Sequence, residues 1–261
     1  MPIDIDAHNS AAWDREVARG NPATLPVTDE EIERARSGNL SLSLTGNRPV
    51  PEEWTDVRSR RILCLALSGG QQVPLLAAAG ARVTAVDNSS QQLRRDEEVC
   101  RRHGLQVECI KADMRALGRS AVAGPYDMVV VGLGLQFIEE PGVVWRQAAG
   151  MLVEAGRLLA AFVNPVQYMF EWPAYERGEF RVAHALPYSD IGSLSESERL
   201  ARFDADDPIE FGHTFEQTLG DLCRAGFAID GFIEDVAQTD PFSKYMATYY
   251  ALSARLSKRP T

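Results

Sequence analysis

Three short stretches of this chain carry residue types that could hold a nucleotide-like cofactor. The first is the run 61–72, RILCLALSGGQQ, where an apolar strand gives way to a tight turn at Ala66 to Gly70 and then to a helix. Such a turn exposes backbone N–H groups at a helix N-terminus. The second is the run 83–87, VTAVD, whose Asp87 ends a second strand 17 residues after Gly70 (87 − 70). A carboxylate there can accept both hydroxyls of a ribose. The third is the pair Asp113 and Met114, just past a third strand. The acid could meet an adenine amino group while the thioether packs on the ring. All three points fall at C-terminal strand ends, the edge where open α/β sheets bind ligands.

A nicotinamide dinucleotide would need GxGxxG, with its third glycine inside the helix. With Ser68 and Gly70 in the first two positions, the third falls on Val73. The helix side is therefore wrong for a pyrophosphate cradle.

The elements that must position these residues follow an alternating pattern. Strand 61–67, helix 71–79, strand 82–86, helix 89–103 and strand 106–110 are followed by a short helical piece near 117–122, strand 126–131, helix 141–153 and strand 157–163. The strands are apolar on both faces, as in a parallel sheet covered by helices. The rhythm breaks over 164–212 and returns with helix 214–225, strand 227–233 and a last strand, 246–254. About a dozen residues join the last two strands, too few for a helical crossover, so a hairpin is expected and the last strand runs antiparallel. Before the core, residues 9–17 read as a short capped helix, and Thr28 to Glu31 fit a capping box opening a second one.

The 261 residues suit one α/β domain, and 45% hydrophobic with 25% charged is ordinary for a globular chain. The net charge of −10 disfavours a nucleic-acid partner. No apolar run is long enough to span a membrane, and the acidic N-terminus is unlike a secretory signal. The four cysteines lack CxxC spacing; reduced thiols, no metal and a cytoplasmic location are expected.

Taken together, the motifs resemble those of class I S-adenosylmethionine-dependent methyltransferases over about residues 60–255. The family's first turn, GxGxG, corresponds to Ala66, Ser68 and Gly70, with two glycines replaced. Its ribose acid corresponds to Asp87 and its adenine-side acid to Asp113. Its FDxVxxxxxLxxxxDP segment corresponds to 126–141, YDMVVVGLGLQFIEEP, and its LxxGGxL to 151–159, MLVEAGRLL, with Ala155 in place of one glycine. The resemblance implies a Rossmann-like α/β fold with a seven-stranded, mostly parallel sheet, its last strand antiparallel and helices on both faces. It implies S-adenosyl-L-methionine as cofactor, held by Ala66, Ser68, Gly69, Gly70, Asp87, Asn88, Asp113, Met114 and Leu133. Residues 1–57 would form an N-terminal helical cap and 58–261 the methyltransferase domain, with 164–215 as a lid and substrate insert between the fifth and sixth sheet strands.

That insert is dense in aromatics: Tyr168, Phe170, Trp172, Tyr175, Phe180, Tyr188, Phe203 and Phe211. They either close over a flat, small acceptor or pack as a subdomain. Trp13, Gln136, Phe137, Asn164, Tyr168 and Tyr188 are the expected acceptor contacts. His213 and His184, in or beside the insert, are the candidate general bases; His213 could equally be a structural residue at a helix start. A small-molecule methyltransferase, in the style of secondary metabolism, is the expectation. The alternative is a relative that binds the same cofactor but catalyses another reaction, such as a cyclisation. The sequence does not fix the oligomeric state.

Overall fold

The computed structural model describes residues 3–119, 122–202 and 206–257. Phe203 and residues 120 and 121 of the helical piece expected near 117–122 lie outside them. The chain opens with α1 (Ile5–Arg19), capped by the Asp4 carboxylate on the Ala7 N–H and closed by Gly20 at φ 74°. It is longer than the 9–17 segment that the sequence suggests. In α2 (Asp29–Arg36) the capping box of Thr28 and Glu31 is present in both directions.

The core then alternates as the apolar runs dictate: β1 (Arg61–Leu65), α3 (Gln72–Ala78), β2 (Arg82–Asp87), α4 (Ser90–Arg102), β3 (Val107–Lys111), β4 (Tyr126–Val131), α5 (Pro141–Met151) and β5 (Leu152–Val163). Beyond β5 come α6 (Trp172–Glu176), β6 (Tyr188–Ser189), α7 (Glu196–Arg202), β7 (Phe211–Gly212), α8 (Asp221–Arg224), β8 (Phe227–Asp235) and β9 (Tyr249–Leu256). The large sheet has the order β3-β2-β1-β4-β5-β9-β8. Its first five strands are parallel, and β9 runs antiparallel to both β5 and β8. The reversal at β1, with β2 on one side and β4 on the other, opens the crevice in which such sheets bind ligands.

Besides α1, other boundaries differ from the sequence reading; the last strand, expected over 246–254, is Tyr249–Leu256. β5 starts five residues early, at Leu152, because Ala155 takes a left-handed φ of 56° and the β4–β5 register shifts between Tyr126 and Met128. The helix expected over 214–225 is a π turn, Glu216–Gly220, followed by the short α8.

Each face of the sheet buries its own core. On one side Leu63, Leu65, Val129 and Leu158 pack with Trp145 of α5 and Leu222 of α8. The Trp145 indole N–H donates to the Thr218 carbonyl at 2.9 Å. On the other side Ile62, Cys64 and Val130 pack with Val73 and Leu76 of α3 and with Leu42, Val50 and Trp54 of the N-terminal segment. Gly231 of β8 is needed there, since a Cβ at that position would come 2.4 Å from the Trp54 ring. Truncating any one of the fully buried leucines would cost about 2–5 kcal/mol.

Candidate active site

At the C-terminal edge of β1, β2 and β4 lies a cavity of about 1160 Å³. Ala66 and Ser68 from the first turn, Asp87 and Asn88 from the end of β2, Asp113 and Met114 from the end of β3, and Leu133, Gln136 and Phe137 after β4 all line it. Trp13 of α1 and Tyr168 of the insert line it as well. Nearly all the expected cofactor residues thus converge, with four of the six expected acceptor contacts.

The turn works without the missing glycines for a reason found across the crevice. Ala66 sits at φ 47°, a left-handed conformation that costs a non-glycine residue about 1 kcal/mol. Its methyl points at Gly134: a Cβ there would come within 2.4 Å of the Ala66 Cβ. A Cβ at Gly132 would meet the Ala66 carbonyl oxygen at 2.1 Å. The two glycines that follow β4 therefore make the room that an alanine after β1 takes up.

Gly69 and Gly70 do not line the cavity. They shape the turn at φ 129° and 81°, and the Gly70 N–H is turned away, donating at 2.7 Å to Asp96 of α4. Asp96 is fully buried. Burial pushes its carboxyl up to about 8 against the opposing pull of that N–H. Burial likewise pushes Asp87 up to about 6, opposed by the Ser89 N–H at 2.9 Å.

Two buried amide oxygens among the cavity-lining side chains, Gln92 Oε1 and Gln136 Oε1, have no partner within the protein, while the Ser68 hydroxyl is directed at the buried Asp96 carboxyl. Such groups are costly unless something fills them. They suit a ligand with hydroxyls and an ammonium, as S-adenosylmethionine has. Asp87 suits its ribose, and Met114 with Leu133 the adenine faces. The Asp113 carboxylate is held by the Arg115 guanidinium, Nε to both oxygens at 3.0 Å, and Arg115 also reaches Asp6 of α1.

Helix α1 forms the roof. Asn9 is buried and pairs with both the N–H (2.8 Å) and the carbonyl (3.0 Å) of Ile209. Ser10 donates to the Asn88 carbonyl at 2.6 Å, and Asp14 accepts from Ser89 Oγ and the Gln91 N–H at the start of α4. Trp13 meets the Phe137 ring edge-on at 5.4 Å.

The other end of the cavity lies farther along the sheet edge, between Val163, Gln167, Tyr168, Trp172, Glu210, Asp240 and Tyr249. Tyr168 donates to Glu210 at 2.8 Å and stacks on Tyr188. Tyr188 does not reach the cavity; its hydroxyl donates to Asp190 at 2.7 Å. Asn164 is fully buried and pins the end of β5, donating to the Ala247 carbonyl at 2.7 Å and accepting from the Val166 N–H.

Neither histidine is brought to the cavity. His213 donates from Nε2 to the Ile138 carbonyl at 2.7 Å, and burial lowers its pKa, so it is a neutral clamp between the insert and the turn after β4. His184 packs against the Tyr188 ring. Sequence reasoning missed Asp6, Asn9, Gln92, Asp240 and Tyr249, all of which line the cavity; Trp172, expected among the aromatics of the insert, lines it too. Among the described residues no group of three or more His, Cys, Asp or Glu is placed to hold a metal ion, and no helix is long and apolar enough to cross a membrane.

Residues 63–160 match the family model described as a methyltransferase domain. An uncharacterized methyltransferase of Bacillus subtilis is 36% identical over 246 residues, covering 94% of this chain and 96% of its own. Among solved structures, magnesium protoporphyrin IX methyltransferase from Synechocystis with bound S-adenosylmethionine superposes at a TM-score of 0.54 and 16% identity, covering 98% of this chain and 99% of the other. The [4+2]-cyclase SpnF superposes at 0.59 and 16% identity, covering 100% and 99%.

Proposed function

The chain belongs to the class I S-adenosylmethionine-dependent methyltransferases, and on that premise we propose that it methylates a small acceptor with an aromatic or hydrophobic body, as a cytoplasmic enzyme. S-adenosylmethionine supplies a methyl group on a sulfonium, open to a nucleophile that approaches in line. The chain supplies alignment and shelter from water. Asp87 would hold the ribose, and Ser68, Gln92 and Gln136 would offer polar groups to the methionine end. Phe137 and Trp13 close over the sulfonium side, and Tyr168, Trp172 and Tyr249 flank the acceptor.

One observation carries the reading. The space beside the first turn is continuous with an aromatic compartment made by the insert and the β8–β9 connection. That compartment suits one small molecule. The likeness to a cyclase at 16% identity is one of fold and does not bring its chemistry here. The test is transfer from methyl-labelled S-adenosylmethionine in a cell extract split into small-molecule and macromolecular fractions. Label is expected among small, ultraviolet-absorbing compounds. Label confined to the macromolecular fraction would sink the proposal.

A further inference from the structure

A fully buried acid, Asp96 of α4, stands behind the first turn. Its Oδ1 accepts from the Gly70 N–H at 2.7 Å. The carboxyl also faces the Ser68 hydroxyl and, more weakly, the Gly69 N–H. Its Oδ2 makes no other hydrogen bond among the described residues.

The titratable groups around Asp96 are the thiols of Cys64 on β1, Cys100 on α4 and Cys109 on β3, and the Asp87 carboxyl at the end of β2. Helix α3, packed beside α4, carries no titratable residue. None of these neighbours is a cation. A carboxylate so enclosed would be buried without a counter-charge, so the neutral acid is the stable form. Burial accordingly pushes the carboxyl up to about 8.

A neutral carboxyl has one proton to give. With Oδ1 taken up as an acceptor, that proton belongs on Oδ2. We propose that Asp96 is a positioning residue held as the neutral acid: it donates to Ser68 Oγ, which leaves the serine proton to point into the cavity at the carboxylate of the cofactor's methionine end. Gln92 completes the fit from the same side. Its unpartnered Oε1 lies beside the turn, 2.8 Å from where a Cβ on Gly69 would stand. A hydroxyl donor next to an amide acceptor matches a carboxylate next to an ammonium. Were Asp96 ionised, the Ser68 hydroxyl would turn back to it and offer the ligand only lone pairs.

The experiment is calorimetry on the full chain with S-adenosylhomocysteine and with its decarboxylated counterpart, which keeps the amine. Wild type is expected to prefer S-adenosylhomocysteine at least about tenfold. Asp96→Leu should remove that preference and leave affinity for the counterpart within about twofold. Ser68→Ala should do the same, and combining the two should add no further loss. Asp96→Asn, which has an N–H for Ser68 and an oxygen for Gly70, should retain the preference. Raising the pH past about 8 should erode it in wild type; Asp96→Asn, in which only the ligand titrates, should keep it. Equal loss of both ligands in Asp96→Leu, additive losses at the two positions, or Asp96→Asn behaving like Asp96→Leu would each make Asp96 a prop of the fold and overturn the proposal. Should Asp96→Leu not fold, Ser68→Ala and the pH comparison decide it. Wild type that binds neither ligand overturns it together with the cofactor site.

Discussion

The methyl group of Ala66 and the missing side chain of Gly134 are two halves of one contact. A Cβ at Gly134 would come 2.4 Å from the Ala66 Cβ. The two positions follow different strands, β1 and β4, so the glycine lost from the first turn is compensated across the crevice.

Gly134→Ala is therefore expected to push the first turn out of place and weaken S-adenosylhomocysteine binding at least about tenfold, about 1.4 kcal/mol. Adding Ala66→Gly should restore it, because the double variant exchanges the two methyls. Ala66→Gly alone should stabilise the protein by about 1 kcal/mol through relief of the left-handed strain. Calorimetry and thermal melts on the three variants decide this. Failure of the double variant to recover would break the link between the two positions.

Cofactor binding should depend on pH through Asp87, whose carboxyl burial pushes up to about 6. The ionised form accepts the ribose hydroxyls. Affinity for S-adenosylhomocysteine should thus fall as pH drops through about 6, by up to tenfold per unit below it. Asp87→Asn should bind more weakly at pH 7 and lose this dependence. A wild-type profile that stays flat from pH 5 to 8 would contradict the assignment.

Asp96 predicts a slope in stability. Its carboxyl lies at about 8 in the fold against about 3.9 in the unfolded chain. The folded state holds that proton more tightly, so the contribution is complete below about pH 4 and is lost as pH rises through about 8. The loss is at most about 6 kcal/mol. Denaturant midpoints of the ligand-free protein should fall over that window. Asp96→Asn, which can still accept the Gly70 N–H, should flatten most of the slope.

A fourth expectation separates the two ends of the cavity. Gly212 lies under Tyr168, and a Cβ there would meet the ring carbons at 2.7–2.8 Å. Gly212→Ala should displace that ring and cut methyl transfer to the small-molecule acceptor at least about tenfold, leaving S-adenosylhomocysteine affinity within about twofold. Equal losses at both ends would show that the compartments are not separable.

Much of this was legible in the residues. The both-face apolar runs imply the parallel sheet, and the short β8–β9 connection implies its antiparallel closure. Asp87, Asp113 and Met114 are placed by strand-end logic alone. The acceptor end was harder, because its residues are far apart in sequence. Tyr168, Glu210, Asp240 and Tyr249 meet only after the insert folds back on the β8–β9 connection, and no local spacing announces it. The histidines show the converse. A residue type suited to proton transfer drew attention to His213, whose Nε2 is already committed to a backbone carbonyl. Asp96 could have been noticed as an acid in the apolar stripe of α4, beside Leu93, Val99 and Cys100.

Helix α1 is fastened on both sides of the cofactor space, to Ile209 through Asn9 and to the β2–α4 corner through Ser10 and Asp14. A roof tied to both walls imposes an order of events. The cofactor is expected to enter, and the spent thioether to leave, while those ties are undone, whereas the acceptor end is bounded by the insert and the β8–β9 connection. Kinetics should accordingly be compulsory-order, cofactor first on and its product last off. The rate of untying α1 would then cap turnover however fast the methyl moves.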